Sequence, residues 1–181
     1  MPEPTPSPPD AAPLPYKIAA LCFLFDDQGR TLLLHRAKPP NLDLYSPIGG
    51  KLEQAEGESP TRCAQREIFE EAGLEVAIED LHLTGIVSEK AFEGKGHWLM
   101  FLYEVTRPVE LAAERMVFDE GRLEWHDPAG IADLPIPETD RDVIWPLFWK
   151  HRGGFFAAHI DCTQEPMAWS VEQSIPRPGS H

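Results

Sequence analysis

The sequence is poor in the features that mark secreted, membrane-spanning and nucleic-acid-coating proteins. It has only three cysteines and no CxxC pair, so we expect free thiols in a reducing, cytoplasmic compartment and no structural zinc site. No apolar run approaches the roughly 18 residues of a membrane-spanning helix, and the first residues lack the blocks of a signal peptide. Basic residues are scarce, with 16 Lys and Arg against 30 Asp and Glu and a net charge of −14. We therefore expect no membrane partner and no polymeric nucleic acid, whose phosphates call for a basic surface.

The composition supports one folded domain with two unstructured ends. A chain of 181 residues with 42% hydrophobic content can bury a sizeable core. Seven prolines fall between residues 2 and 15, so residues 1–15 are predicted to form a disordered, proline-rich tail. We predict that the domain occupies residues 16–162 and that residues 163–181 form a polar C-terminal tail.

Apolar runs separated by turn residues predict more strands than helices. Residues 17–25 and 31–35 flank an Asp/Gly turn, which predicts a β-hairpin or two adjacent strands. Further strands are predicted over residues 45–48, 74–78, 81–87, 98–105 (the most apolar, and central), 123–125 and 155–160, and a second helix over residues 139–151. Pro146 would kink that helix or mark a late start. The expected fold class is α/β (α+β), a mixed β-sheet sandwiched between helices.

The clearest helix signals surround residues 60–72. Ser59 is a favoured N-cap residue, Pro60 suits the first helical position, and Gly73 suits the residue that follows a helix. Together they predict a helix over residues 60–72.

Three carboxylates cluster on that predicted helix. Glu67, Glu70 and Glu71 stand at i, i+3 and i+4, which places them on one face. Like charges at this spacing repel one another and destabilise a helix. A hard divalent cation with oxygen ligands, such as Mg²⁺, would compensate, whereas a solvated acidic face is the alternative.

The same residues resemble the signature of the Nudix hydrolases, G-x5-E-x7-R-E-U-x-E-E-x-G-U, where U is aliphatic. Residues 66–74, REIFEEAGL, match its second half without a gap. Glu58 stands the right distance before Arg66, whereas Gly50 lies two residues too far from Glu58. Glu56 keeps the spacing to the glycine but not to the helix. We align Glu58, because a loop absorbs an insertion and a helix does not.

The resemblance implies a Nudix fold and hydrolysis of a nucleoside diphosphate derivative. It makes Glu67, Glu70 and Glu71 ligands of Mg²⁺ or Mn²⁺, with the carbonyl of Gly50 as a further oxygen. The neighbouring Gly49 would support this site.

The resemblance also implies roles for residues around the helix. Arg66 would orient a catalytic glutamate, and Glu58 would form a supporting ion pair or hydrogen bond. Family members often recruit another acid downstream as a metal ligand or general base. Glu120 is the first candidate, with a surface loop acid as the alternative, and Glu124 is a weaker one.

Within the family, the layout is similar to MutT-like enzymes, which convert nucleoside triphosphates to monophosphates and pyrophosphate. In oxidised-purine triphosphatases of the family, acidic residues before the last helix read the base. Asp140 falls near that position, although a charge at a helix N-terminus is the alternative. Arg141 stands where a second acid is expected.

The substrate expected from this resemblance is a small nucleotide, most simply a nucleoside triphosphate. The alternatives are an ADP-ribose or other nucleotide-derivative pyrophosphatase, or a noncatalytic nucleotide-binding domain. The protein is expected to be a monomer or homodimer.

Overall fold

The computed structural model describes residues 13–39 and 41–179 of the chain. Residues 1–12, most of the predicted disordered tail, lie outside this part, so that prediction remains open. The described part contains ten strands, β1 (Tyr16–Phe23), β2 (Thr31–Arg36), β3 (Tyr45–Ser46), β4 (Ile48–Lys51), β5 (Leu81–Phe92), β6 (Gly96–Val105), β7 (Val117–Phe118), β8 (Gly121–His126), β9 (Phe155–Asp161) and β10 (Ala168–Ile175). Its α-helices are α1 (Pro60–Ala72) and α2 (Trp145–His151), and neither is long and apolar enough to cross a membrane.

Two sheets form the frame of the protein. A six-stranded sheet has the order β10-β9-β5-β6-β1-β4, and a four-stranded sheet has the order β3-β2-β8-β7. In the larger sheet β1 pairs parallel with β6 and β5 pairs parallel with β9, whereas its other neighbours are antiparallel. Helix α1 packs on β1 and β4, and α2 packs on β5 and β9. The predicted fold class and the central position of the strand around residues 98–105 are thus confirmed.

Hydrophobic cores cover both faces of the larger sheet. Successive side chains of a strand point to opposite faces, so in β1 Ala19 and Phe23 enter the core beneath α2, whereas Ala20 and Cys22 enter the core beneath α1. Phe23 stacks on Phe148 of α2 with ring centroids 3.9 Å apart. The two helices are therefore fixed on opposite sides of one sheet.

Helix α1 has the predicted bounds and caps. The Ser59 hydroxyl accepts the backbone N–H of Arg62, and Gly73 adopts a left-handed φ of 69° while its N–H donates to the carbonyl of Phe69. Ile68 is fully buried against the sheet, a burial that contributes about 2 kcal/mol. Glu67 and Glu71 are also turned towards β4, where they meet Gly50 and Gly49, whereas Glu70 is 54% exposed.

The strand predicted over residues 74–78 is wrong. This segment is irregular and leads into a single 3₁₀ turn, Ile78–Asp80. Val76 is buried in the core beneath α1, and its carbonyl accepts a hydrogen bond from the Gln65 side chain at 2.7 Å. The apolar residues of this segment are therefore explained by packing in the core, and they do not pair in a sheet.

The first two strands are neighbours but do not form a single hairpin sheet. An isolated bridge, Phe25 to Thr31, joins them, and β1 and β2 then enter different sheets. The second helix begins at residue 138, passes through a π-helical stretch, Asp140–Ile144, and is α-helical again over Trp145–His151. Pro146 therefore follows a local change of helix type and does not mark the start of the helix.

The C-terminal segment differs from the expected polar tail. Within residues 163–179, strand β10 pairs antiparallel with β9 at the edge of the larger sheet. All eight of its residues are exposed. Main-chain hydrogen bonds to β9 hold this strand, and neither of its faces is buried. The sequence therefore lacks the alternation of apolar and polar residues that would have predicted a strand.

Candidate active site

The loop that carries the two-residue insertion lies between β4 and α1. Residues Gln54–Glu56 form one 3₁₀ turn, and Gly57 ends it with a φ of 65°. The backbone N–H of Glu53 then donates to the Glu58 carboxylate at 2.9 Å. The extra residues are thus taken up in the loop, and α1 keeps its length.

Arg66 connects this loop to the acidic helix. Its Nε and Nη2 donate to the two carboxylate oxygens of Glu58 at 2.8 and 2.9 Å, a bidentate pair. Its Nη1 donates to Glu67 at 2.7 Å and to Glu70 at 3.1 Å, and its Nη2 also reaches the carbonyl of Lys51. The hydrogen bond with Arg66 lowers the pKa of Glu58 and raises the pKa of the guanidinium itself. Arg66 therefore fixes the orientation of Glu67 relative to the loop.

Glu71 is the most deeply buried of the helix glutamates. It is 5% exposed, and its Oε2 has no hydrogen-bond partner within the described residues. Burial, followed by the charges of Glu67 and Glu120, raises the pKa of Glu71 to about 8, against a hydrogen bond from the backbone of Gly49. An unpartnered buried carboxylate oxygen is costly. A cation at this oxygen would remove that cost.

Glu67 lies against Gly50 of β4. A Cβ atom at Gly50 would overlap the Glu67 carboxylate, so any larger residue there would displace this carboxylate. Burial raises the pKa of Glu67, and the hydrogen bond from Arg66 opposes this effect. The carbonyl of Gly50 has the Cys63 thiol as a donor at 3.5 Å. Gly50 is also paired with Ala20 in the antiparallel pairing of β1 with β4, so this carbonyl lies within that ladder.

The remaining predicted acids occupy different environments. Glu70 is 54% exposed and contacts Arg66, whereas Glu120 lines the same cavity as Glu67. The carboxylate of Glu120 lies 3.7 Å from the Arg36 guanidinium. Glu124 does not line this cavity and instead accepts a hydrogen bond from the Tyr45 hydroxyl at 2.9 Å.

The predicted ligand set is not assembled for coordination. In residues 13–39 and 41–179, no three His, Cys, Asp or Glu side chains are grouped closely enough to hold a metal ion. Arg66 occupies oxygens of Glu67 and Glu70 that coordination would use. The assignment of Glu67, Glu70, Glu71 and Gly50 as ligands therefore stays a prediction.

A cavity of about 340 Å³, lined at one end by Glu67 and Glu120, extends across one face of the larger sheet. This volume falls within the range of small-ligand sites. Its walls include Ala19, Leu21, Gly49, Trp98, Met100 and Glu89 of the larger sheet, Arg36 of β2, and Asn41, Pro47, Pro137, Thr139 and Asp140 outside the strands. The cavity therefore joins an acidic end to an aromatic and apolar interior.

Two further buried carboxyls line this cavity away from α1. Glu89 of β5 is 4% exposed, and Asp140 of the π-helical turn is 9% exposed. Burial raises the pKa of Glu89 to about 7, and burial followed by the charge of Glu89 raises the pKa of Asp140 to about 7. The Thr139 side chain opposes both of these pKa shifts.

Sequence reasoning identified Asp140 but missed Glu89. The only available signal was one acidic residue two positions after the buried Val87, on the same face of an apolar strand. Such a position gives no indication of its partner, since Asp140 is distant in the chain.

The profile of the NUDIX domain matches residues 15–145, which is most of the chain. The protein therefore belongs to the Nudix hydrolase family, and its layout is MutT-like. Members of this family are hydrolases that act on phosphorus-containing acid anhydrides, and they generally use divalent cations. The predicted family and enzyme class are thus confirmed.

Solved structures share this fold. A MutT protein from Bacillus halodurans is 24% identical with a TM-score of 0.67, over 86% of this chain and 97% of the other. A MutT protein from Methanosarcina mazei is 20% identical with a TM-score of 0.61, over 78% and 99%. The NUDIX domain of NrtR from Shewanella oneidensis, solved with ADP-ribose, is 18% identical with a TM-score of 0.59, over 76% and 86%. At these identities the likeness establishes the fold.

The contact of Glu58 with Arg66 leads to a testable difference between two loop acids. We expect Glu58→Ala to lower the free energy of unfolding by about 1–3 kcal/mol, because the Arg66 guanidinium loses a buried ionic partner. Glu56→Ala removes an exposed side chain and should change that free energy by less than about 0.5 kcal/mol. Urea unfolding and hydrolysis rates of both variants measure the difference. A larger loss in Glu56→Ala would show that Glu58 is aligned wrongly with the motif.

Proposed function

We propose that this Nudix hydrolase is a metal-dependent nucleoside triphosphate pyrophosphohydrolase that releases a nucleoside monophosphate and pyrophosphate. The main support is the single cavity that joins the carboxylates of Glu67 and Glu120 to an interior lined by Trp98 and Met100. Such a cavity suits a ligand with a phosphate chain at one end and a planar base at the other.

The acidic end fits a hard divalent cation, Mg²⁺ or Mn²⁺. The fit rests on the unpartnered Oε2 of Glu71, the neighbouring carboxylate of Glu67 and the carbonyl of Gly50, all of them oxygen donors. These three groups would hold the ion, and Glu70 would join them on release from Arg66. When bound, such an ion neutralises phosphate charge and lowers the pKa of a water molecule.

The protein's own groups would position the substrate and move the proton. Arg66 holds Glu67 in place through the 2.7 Å hydrogen bond and is itself held by Glu58. Glu120 lines the cavity with a half-exposed carboxylate, so it can accept the proton of the attacking water. Trp98 would stack on the base, and Asp140 would accept a hydrogen bond from it.

The alternative substrate class is ADP-ribose or another nucleotide derivative. The similarity to the NrtR domain solved with ADP-ribose favours it as a second candidate. A noncatalytic nucleotide-binding domain is less well supported, because binding alone does not require the buried carboxylate of Glu71.

A substrate panel tests the proposed reaction. Nucleoside triphosphates, normal and oxidised, ADP-ribose, dinucleotides and nucleotide sugars are incubated with Mg²⁺ or Mn²⁺, and the products are separated by chromatography. We expect monophosphate and pyrophosphate from triphosphates, and no turnover when EDTA removes the metal. Cleavage of ADP-ribose alone would replace the proposed substrate class. Binding without any turnover would leave the noncatalytic alternative.

We also propose a reducing, cytoplasmic location and a monomeric or homodimeric state. Cys22 and Cys63 are buried free thiols, and Cys162 is a third one near the surface. Light scattering of the purified protein measures the oligomeric state.

A further inference from the structure

Strand β10 leaves one long edge of the larger sheet open. It pairs with β9 on one side only, and all eight of its residues are exposed. The other edge strands in the described part of the chain are shorter, with four residues in β4 and two each in β3 and β7. An edge strand of this length presents a row of main-chain donors and acceptors to which a further strand can pair.

Two apolar side chains of β10 continue a core-facing side of the sheet into solvent. Trp169 stands opposite Ile160 of β9, and Val171 stands opposite Ala158. Side chains directly opposite each other on neighbouring strands share one face, and Ile160 and Ala158 are buried in the core beneath α2. Trp169 is nevertheless 48% exposed and Val171 39% exposed. A strand added beside β10 would cover part of this apolar surface.

The distribution of charge favours a second copy of this chain as the partner. Each copy carries a net charge of −14, so two copies can associate only through a region of low charge. Within β10 the single charged residue is Glu172. Glu165 precedes the strand and Arg177 follows it, and both are exposed. An antiparallel copy therefore brings opposite charges together at both ends of the contact.

We infer that two copies of the chain form a homodimer by antiparallel pairing of β10 with β10, which joins their six-stranded sheets into one continuous sheet. A two-fold axis normal to the sheet keeps each face on its own side, so Trp169 and Val171 of both copies lie on the same face. Like charges meet only at Glu172, which lies at the β-bulge between Val171 and Gln173 near the middle of the strand. The dimer does not depend on the proposed reaction and goes beyond it.

Sedimentation velocity at a series of protein concentrations measures this association. We expect the full chain to be dimeric at about 100 µM and to dissociate on dilution, because a contact through one strand is smaller than a standard interface. Val171→Glu should raise the dissociation constant of the dimer at least about tenfold, since it adds a carboxylate near Glu172 of the second copy. Glu172→Gln should lower this constant, because it removes the like-charge contact.

A matched substitution at another sheet edge separates this contact from a general effect of charge. Val117 of β7 is 69% exposed, so Val117→Glu adds the same charge to an edge strand of the smaller sheet. It should leave the dissociation constant of the dimer unchanged. Urea unfolding of both variants verifies that each one folds.

Hydrogen exchange locates the contact directly. Amide exchange over residues 168–175 should slow as the protein concentration rises, because pairing protects the outward-facing N–H groups. A dimer whose β10 exchange is independent of concentration would use another face and would overturn the inference. So would a dimer that Val171→Glu does not weaken, or one that Val117→Glu weakens equally. A chain that stays monomeric at about 100 µM would leave this edge to a different protein and would also overturn it.

Discussion

Glu71→Gln is expected to lower kcat/KM by about 10²–10³-fold, the loss typical of removing one fixed charge from a catalytic site. Glu71 is buried in α1, and its Oε2 has no hydrogen-bond partner in the described structure. It is therefore the helix glutamate with the strongest structural reason to bind a cation. Glutamine has nearly the same shape but no charge, so the amide keeps the packing and the contact with Gly49. The substitution should therefore affect chemistry and metal affinity while the fold persists.

The same substitution should stabilise the metal-free protein at alkaline pH. The pKa of Glu71 rises from 4.5 in the unfolded chain to about 8 in the folded one, mainly because the carboxyl is buried. The folded state binds this proton more tightly, so the contribution of Glu71 to stability is fully present below pH 4.5 and is lost as pH rises through about 8. Each unit of pKa difference corresponds to about 1.4 kcal/mol, so the total is at most a few kcal/mol.

Urea unfolding in EDTA at pH 5 and pH 8 measures this effect. We expect Glu71→Gln to unfold at higher urea than the unsubstituted protein at pH 8, with a much smaller difference at pH 5. Glu75→Gln, an exposed glutamate just beyond α1, is the control and should change neither activity nor stability. Full activity of Glu71→Gln would remove Glu71 from the catalytic site.

The opposing effects on activity and stability have one cause. An ionised carboxylate buried beside the charges of Glu67 and Glu120 destabilises the empty fold, and either a proton or a bound cation relieves this repulsion. Activity and metal-free stability should therefore change in opposite directions at Glu71. A mutation that merely loosens the fold would lower both.

Local signals made α1 predictable to the residue. Ser59, Pro60 and Gly73 determine where the helix begins and ends through contacts within a few positions of the chain. The pairing of Glu58 with Arg66 was also predictable from the sequence. The helix fixes the number of residues between Glu58 and Arg66, whereas the loop between Gly50 and Glu58 can take up an insertion.

Features that depend on distant partners were not predictable in the same way. In the sequence, Glu89 is a single acid in an apolar strand, and only the fold brings it near Asp140. Strand β10 has no apolar pattern, because it is held by main-chain pairing with β9. Val76 shows the reverse case, since its apolar character reflects burial without strand pairing. The sequence therefore indicated the helix and its glutamates, whereas the opposite end of the cavity needed the assembled sheet.

Gly50→Ala is expected to reduce kcat/KM by about 10- to 100-fold with little loss of stability, because small displacements of catalytic groups cost this much. The three atoms nearest to the new Cβ all belong to the Glu67 carboxylate, the flexible end of a side chain. Glu67 would move aside, and the backbone at Gly50 requires no left-handed φ that alanine would resist. The loss should therefore arise from a displaced carboxylate in an intact fold.

Two other glycines provide the comparison. At Gly130 a Cβ meets open space, so Gly130→Ala should leave activity and stability unchanged. At Gly49 a Cβ would collide with the backbone carbonyl of Ala20, and φ is 156°, so Gly49→Ala should destabilise the fold itself. Steady-state kinetics and urea unfolding of the three variants distinguish these outcomes. If Gly50→Ala were as unstable as Gly49→Ala, its effect would be on folding, and if it were fully active, the position of Glu67 would be unimportant for catalysis.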